Sequence, residues 1–271
     1  MRKSIILIAV IIVLVTSQIS KGQQFNMSPG PVDEKLSIGL KVNKPFFKKS
    51  EYGDNPSGTS GVYKLYGYFP LKKNWQINAE VPLVVAKMGE TNETGLGNLY
   101  VELQKALNAN KTTYMAFGLY IPTMSSEKYE RMMIGFLSDP FHILQYAEGL
   151  TFNSTIGYNL REKPGVIFGV DIGPDLFIPT SESGDVELFL HYGIKGGYRF
   201  NAVSTWAEIS GMMVTTEEGS LDEKWNNQLF LGAQYNRSTF RPGIFYGIYL
   251  DKDLREGISG ILGLNLQVVL N

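Results

Sequence analysis

The side chains that most often carry out chemistry in proteins are scarce in this sequence. Cysteine is absent, and histidine occurs only as His142 and His191. The lack of cysteine excludes disulfides, zinc fingers, Fe–S clusters and cysteine nucleophiles. The sequence has no metal-ligand cluster, phosphate loop or nucleotide fingerprint, and Gly95-Leu96-Gly97 is too short for the last of these. We therefore expect no cofactor.

The overall composition favours a β-rich or membrane protein. The formal net charge is −1 at pH 7, so a large basic surface for nucleic acid is not expected. Charged residues make up 19% of the chain, below the usual share of about 25%, while aromatic residues reach 12% and glycine occurs 29 times. Few charges combined with many tyrosines, phenylalanines and glycines are not typical of a charged helical bundle.

Residues 1–22 have the pattern of a secretory signal peptide. Arg2 and Lys3 form a positive start, residues 5–15 form an unbroken apolar run, and small residues Ser20 and Gly22 precede a cleavage site before Gln23. The apolar run is shorter than the roughly 20 residues that a spanning helix needs. We expect Sec-type export and a single domain over residues 23–271.

Apolar side chains alternate with polar or small ones along most of the mature chain. Period two is the pattern of a strand with two different faces. The only helical candidate, residues 128–137, lies inside a long link. The twelve alternating rows cover residues 36–42, 63–69, 75–81, 99–104, 115–121, 150–160, 166–173, 188–200, 203–210, 229–235, 240–250 and 258–270.

The links between these rows alternate between short and long. Short links centre on residues 71–74, 108–111, 161–164, 201–202 and 236–238. The longest links are residues 43–61, 86–97, 122–147 and 215–224. Short periplasmic turns and longer outer loops give a membrane barrel this alternation. We expect links 43–61 and 122–147 to be outside the cell and open to proteases, and Lys72, Lys73 and residues 108–111 to face the periplasm.

The predicted fold class is all-β, a closed antiparallel transmembrane β-barrel of about twelve strands. A soluble β-sandwich also alternates, but these rows commonly reach 9 to 15 residues. A tilted spanning strand needs about 9–11 residues, and soluble strands average about 5–6. Because hydrocarbon offers backbone groups no partner, an all-strand membrane chain must close. The expected location is the outer membrane of a Gram-negative cell, with lipid and the barrel-assembly machinery as partners.

If the apolar rows face lipid, the side chains between them face the lumen. The predicted lumen-lining ionisable residues are Lys41, Lys64, Glu80, Glu102, Asp171, Glu187, His191, Lys195, Arg199, Glu208 and Arg241. Apart from the histidine, these comprise five charges of each sign, and a strongly ion-selective pore would show an excess of one sign. Two interpretations remain open: the charges pair to fill a narrow barrel, or the lumen passes neutral solutes.

Some outer-membrane barrels are enzymes, and the two histidines bear on that class. An outer-membrane phospholipase needs a His–Ser pair, but His191 is followed by Tyr192 and Gly193. His142 has no serine nearby, and nothing in the sequence forces it to face Asp139, as an omptin-type protease would require. We expect both histidines to be structural or interfacial and the protein not to be an enzyme.

One stretch resembles a known family. Residues 75–83 read WQINAEVPL, and Thr94, Gly95, Leu96, Gly97 and Asn98 precede the next strand. This pattern resembles outer-membrane transporters of the MetA-pathway-of-phenol-degradation type, which are relatives of FadL-type channels. The family has an apolar–Pro strand end and then T/S-G-L-G-D, so Asn98 stands where Asp is usual. The resemblance implies uptake of hydrophobic or aromatic compounds.

The glycines of this motif permit a positive φ or a close backbone approach. They form either a bend or bulge at the strand start or a solute entrance to which Asn98 offers a polar contact. The function predicted from the whole sequence is a channel for small solutes, and the resemblance implies that these are hydrophobic or aromatic. A non-transporting barrel with a structural or loop-mediated interaction role is the alternative, and a barrel enzyme is third.

Overall fold

The computed structural model describes residues 35–48, 58–72, 74–124, 129–161, 164–181, 184–216 and 225–270. The predicted signal peptide, and residues 49–57 and 217–224 of two predicted loops, lie outside the described residues. The strands are β1 Ser37–Phe47, β2 Gly61–Pro70, β3 Trp75–Met88, β4 Thr91–Leu96, β5 Leu99–Ala106, β6 Thr113–Ile121, β7 Gly149–Arg161, β8 Gly165–Pro179, β9 Glu187–Arg199, β10 Val203–Val214, β11 Trp225–Tyr235, β12 Phe240–Tyr249 and β13 Ile258–Val269.

Twelve of these strands close into an antiparallel barrel. The first strand, β1, pairs with both β2 and β13, and the ladder continues from β2 through β3, β5 and the later strands back to β13. All five predicted short turns join neighbouring strands of this ladder. Closure leaves the twelve-stranded cylinder without a free edge, as an all-strand membrane chain requires. The predicted fold class is therefore confirmed.

Burial alternates along the strands as the period-two pattern predicts. In β8, Val166, Phe168 and Ile172 are exposed, whereas Ile167 and Asp171 between them are buried. Side chains of a strand point alternately to its two faces, so the exposed apolar set lies outside the barrel and the buried, mostly polar set lies inside. This is an outward apolar surface with a polar interior, the reverse of a soluble barrel.

The predicted link 86–97 is wrong as a simple loop, because most of it is a strand hairpin. The third strand, β3, continues to Met88, and β4 pairs with it from Leu83 to Met88. The two-residue turn begins at Gly89, whose φ is 55°, as expected of a type II′ hairpin turn. The sequence of β4, TNETGL, lacks alternating apolar residues, so its strand character depends on pairing with β3.

The predicted outer loop 122–147 begins and ends where expected but folds into the barrel. It contains helix α1, Tyr129–Ser138, followed by a 3-10 helix, Pro140–Tyr146. None of the helices in the described part of the chain is long and apolar enough to cross a membrane. Residues 138–142 and 144–146 are buried, which corrects the expectation that this segment is open to proteases. A short second helix, α2, Lys252–Gly257, connects β12 and β13 at the rim.

Candidate functional site

The interior of the barrel, together with the inserted loop, is the candidate site. Nine of the eleven predicted lumen residues are buried, and Glu80 and Glu187 are partly exposed. The nine are Lys41, Lys64, Glu102, Asp171, His191, Lys195, Arg199, Glu208 and Arg241. They do not form one cluster: Glu187 begins β9, whereas Arg199 ends β9 at the short turn that leads to β10.

The sequence analysis considered Asp139 only as a possible partner of His142 and did not include it among the lumen residues, yet Asp139 organises the site. Asp139, on the inserted loop, has one carboxylate oxygen 2.6 Å from Nζ of Lys64 and the other 4.0 Å from Nζ of Lys41. Lys64 also contacts Glu80 at 2.9 Å. Lys41 and Lys64 are direct partners in the β1–β2 register. Two lysines that face each other on adjacent strands indicate that a carboxylate must lie nearby. This signal can be read only when the register of the two strands is known.

Two further loop side chains contact the Asp139 carboxylate. The hydroxyl of Tyr146 donates to Oδ2 at 3.0 Å, and Nδ1 of His142 lies 3.2 Å from Oδ1. Burial by itself would raise the pKa of Asp139, but the charges of Lys64, His142 and Lys41 lower it well below its ordinary value. Burial, with the negative charge of Asp139 next to it, raises the pKa of Tyr146 well above its ordinary value. Asp139 is therefore ionised and Tyr146 is a neutral donor.

Local sequence places Asp139 at the junction of the two helices. The residue before a proline is disfavoured in the helical conformation, and Asp139, which precedes Pro140, has φ −139° and ψ 68°. Helix α1 therefore ends at Ser138, and the proline starts the 3-10 helix, where its lack of an N–H costs little. This break directs the carboxylate away from the helix axis and towards the wall lysines.

Apolar contacts hold the loop against the barrel wall on three sides. On one side, Phe141 packs with a buried cluster of wall residues: Trp206, Phe230, Phe245, Tyr249, Ile258 and Ile261. On another, Ile134 and Tyr146 pack with Val62, Val84 and Ala86. On the third, Leu144 packs with Tyr100, Tyr120, Phe189 and Met212. The loop therefore belongs to the folded core of the molecule.

Asn98 of the predicted motif clamps both ends of this loop. Its Oδ1 accepts from the backbone N–H of Thr123 and of Met124, each at 3.0 Å. Its Nδ2 donates to the carbonyl of Ala147 at 2.6 Å and more weakly to that of Leu144 at 3.3 Å. Because the side chain is buried and these contacts occupy both of its polar ends, Asn98 holds the loop and does not offer a contact to a passing solute.

The motif glycines allow residues of the inserted loop to lie close to the backbone of β4 and of the step into β5. Neither Gly95 nor Gly97 is among the described residues with positive φ. A Cβ on Gly97 would lie 3.0 Å from the carbonyl oxygen of Gln145 and 3.1 Å from the ring of Tyr146. Thr94, Gly95 and Leu96 belong to β4, and Gly97 with Asn98 forms the step into β5. The motif thus supplies the surface on which the end of the loop rests.

A chain of buried hydrogen bonds runs along the inner wall from β3 and β5 to β7 and β8. Asn78 donates to one oxygen of Glu102 at 2.5 Å, and the hydroxyl of Tyr100 lies 2.8 Å from the other. The same hydroxyl is 3.3 Å from Oδ1 of Asn153, whose amide nitrogen donates to Asp175. Buried polar groups need partners, so this chain explains how Glu102 is kept inside the barrel.

His191 continues this chain. Its Nδ1 lies 2.9 Å from Oδ2 of Asp175, and its Nε2 lies 3.0 Å from Oγ1 of Thr155. The order carboxylate, imidazole, hydroxyl also orients nucleophiles in hydrolases. Here all three side chains are buried, and the ring of Phe141 lies 6.2 Å from that of His191. Mutual satisfaction of buried polar groups accounts for the arrangement.

The charged side chains inside the barrel have almost no contact with solvent. Lys64, Lys195 and Glu208 are 1%, 1% and 0% exposed, although lumen side chains facing a wide aqueous channel would contact water. Glu208 is the direct partner of Lys195 in the β9–β10 register. Among the described residues, the interior charges are thus covered by one another and by the loop.

No family model matches this chain, and no curated protein matches it. Among solved structures, an outer membrane channel from Pseudomonas putida F1 is similar, with a TM-score of 0.62 and 12% identity over 92% of this chain and 100% of that one. The fold is that of an outer-membrane β-barrel. The NanC porin is also similar, with a TM-score of 0.50 and 12% identity over 87% of this chain and 99% of that one. At such identities the likeness concerns the fold alone.

Proposed function

We propose that this chain is an outer-membrane channel for small solutes, closed in this state by the inserted loop. Its apolar outer face suits a bilayer, and its signal-like residues 1–22 suit Sec-type export followed by assembly in the outer membrane. The observation that carries the proposal is the loop itself, which fills the lumen of a closed barrel. Two structures of similar fold, a channel and a porin, support it.

The solutes that we propose are hydrophobic or aromatic. The motif from Thr94 to Asn98 resembles the MetA-type transporter family, and the structure uses that motif to seat the loop. The lumen also contains aromatic surface next to the loop, with Tyr100 and Tyr120 stacked at 4.5 Å. Stacked and edge-on rings in a narrow lumen favour flat, apolar solutes over large hydrated ones.

A loop-replacement variant tests the channel. Replacing residues 129–143 by a Gly-Ser linker removes α1 and Asp139 but keeps Thr123, Met124, Leu144 and Ala147, the partners of Asn98. In planar bilayers, the refolded variant should conduct strongly where the full chain conducts weakly. Shortening the tip of the β3–β4 hairpin at residues 87–92 is the matched control, and it should leave the conductance unchanged.

The second candidate is a barrel that does not transport. Burial of the lumen charges favours it, because the interior is filled in the described residues. In that case the loop would act as a permanent core, and the variant without it would misfold or remain non-conducting. A folded variant without conductance, together with a full chain that gives no uptake in vesicles, would contradict the channel and favour this candidate.

A further inference from the structure

The inserted loop presents a carboxylate and a phenyl ring to adjoining parts of the wall. The carboxylate of Asp139 lies on Lys64 and Lys41, as described above. Two residues later, Phe141 packs into the wall cluster that contains Phe245. Nζ of Lys41 is 5.7 Å from the centre of the Phe245 ring, so the cationic and aromatic parts of the wall are contiguous.

Negative charge reaches the cationic part of the wall both from the loop and from the wall itself. Lys41 and Lys64 carry two positive charges, and Glu80, which contacts Lys64 at 2.9 Å, supplies one negative charge. Asp139, on the loop, is the carboxylate that lies against both lysines, and the charge of Glu208 also acts on Lys41. A buried charge without compensation is strongly unfavourable. If the loop withdraws, both lysines lose their contact with the Asp139 carboxylate, and an anion in the same place would restore that contact.

The aromatic part of the wall is a preformed surface for a ring. The Phe230 and Phe245 rings are 5.3 Å apart at an interplanar angle of 79°, an edge-to-face pair, and Trp206 and Tyr249 complete the cluster. Aromatic rings favour such edge-to-face and offset contacts. A solute ring in place of Phe141 would therefore meet the same contacts that the loop now makes.

We propose that the Lys41–Lys64 pair and the adjoining aromatic cluster bind an aromatic carboxylate, whose place Asp139 and Phe141 hold in the closed state. This inference rests on the channel function proposed above, and it narrows the solute class from aromatic compounds to aromatic acids. Binding of the acid and withdrawal of the loop are then one exchange, in which the solute replaces the contacts that the loop gives up.

Phenylacetate is the probe, because it joins a ring to a carboxylate. Phenylacetamide keeps the ring without the charge, and acetate keeps the charge without the ring. Calorimetry on the refolded full chain should show phenylacetate binding more tightly than either analogue. Asp139→Asn removes the internal competitor and should lower the Kd for phenylacetate about ten-fold or more, because the competent state becomes more populated. Lys64→Met should abolish the binding.

Two control variants carry the same chemical changes elsewhere. Asp251→Asn alters a carboxylate in the link between β12 and β13 that accepts from the N–H of Asn227, and Lys105→Met alters a lysine lying over the Trp75 ring. Both should bind phenylacetate as the unaltered chain does. An equal Kd in Asp139→Asn and the unaltered chain, or equal affinity for acid and amide, would overturn the proposal.

A second measurement on the unaltered chain does not depend on any variant folding. Saturating phenylacetate should accelerate trypsin cleavage at Arg131 in α1, because the loop is displaced, whereas phenylacetamide should not. Failure of the acid to do so counts against the proposal. Selective binding of phenylacetate without uptake into vesicles would support this site and contradict the channel. Uptake of neutral solutes without a preference for the acid would support the channel and contradict this site.

Discussion

The Asn98 clamp predicts a measurable change in the protection of the inserted loop. Asn98→Ala removes two acceptor contacts to the N–H groups of Thr123 and Met124 and the donor contact to the carbonyl of Ala147. An unsatisfied buried polar group costs about 1–3 kcal/mol. Allowing for partial rescue by water, we expect the loop to be weakened by about 2–4 kcal/mol.

This loss is smaller than the apolar burial that keeps the loop inside. Ile134, Phe141 and Leu144 are all buried, and at about 1.5–3 kcal/mol each they contribute about 5–9 kcal/mol. The Asn98→Ala loop should therefore remain inserted but open more often. When reclosing is faster than cleavage, proteolysis follows the open population, so trypsin should cut at Arg131 about 30- to 700-fold faster.

The assay compares cleavage rates on refolded barrels that all show the heat-modifiable shift of a folded barrel. Asn110→Ala, in an exposed turn between β5 and β6, is the matched control and should behave as the unaltered chain does. Cleavage of Asn98→Ala within two-fold of the unaltered rate, or equal acceleration in the control, would refute the assignment of Asn98 as the clamp.

Three further predictions follow from other parts of the barrel. Leu231 is 55% exposed on the outer face, so Leu231→Arg should lower the free energy of unfolding in lipid by about 2–4 kcal/mol. Leu231→Phe should change it little. Equal losses in the two variants would contradict the assigned face. In Gly97→Val the new side chain would clash with the Gln145 carbonyl and the Tyr146 ring and push the end of the loop away. The barrel should still fold, and its conductance should rise because the loop is displaced. Unchanged conductance would show that the end of the loop does not contact Gly97. The folded pKa of Asp139 lies below its unfolded value of about 3.9, so its stabilisation is present above that pH and lost as the pH falls through the folded pKa. Conductance should thus be constant from about pH 7 to pH 5 and rise only below about pH 4, and a rise already at pH 6 would contradict this.

The sequence predicts the barrel because period two is a local property. The alternation of residue types within each strand shows which side chains face outwards and which face the lumen. In β8, for example, exposed Val166 and Phe168 flank buried Ile167. The sequence does not predict the β3–β4 hairpin, because β4 lacks this alternation and forms a strand only by pairing with β3. The partners of the predicted lumen residues Lys41 and Lys64 were missed for a related reason: Asp139 lies far along the chain, on a segment that alternation cannot describe.

The position of the loop also depends on distant complementarity. Residues 128–137 were recognised as the helical candidate, and α1 lies at Tyr129–Ser138. Their apolar side chains could equally have covered an outer surface. Only the assembled wall, with aromatic clusters and two facing lysines, makes the lumen the better place for them. Such a wall exists only after the twelve strands have closed.

The strength of these contacts limits how the proposed channel could open. With about 5–9 kcal/mol of apolar burial to lose, the loop would leave an otherwise unchanged lumen in only about 10⁻⁴ to 10⁻⁶ of molecules. Spontaneous opening at that level would give little flux. A solute that supplies both a carboxylate and a ring would offset the loss of the Asp139 and Phe141 contacts directly. Opening by exchange of contacts therefore requires less free energy than opening into an empty lumen, and it makes the solute itself the agent that opens the channel.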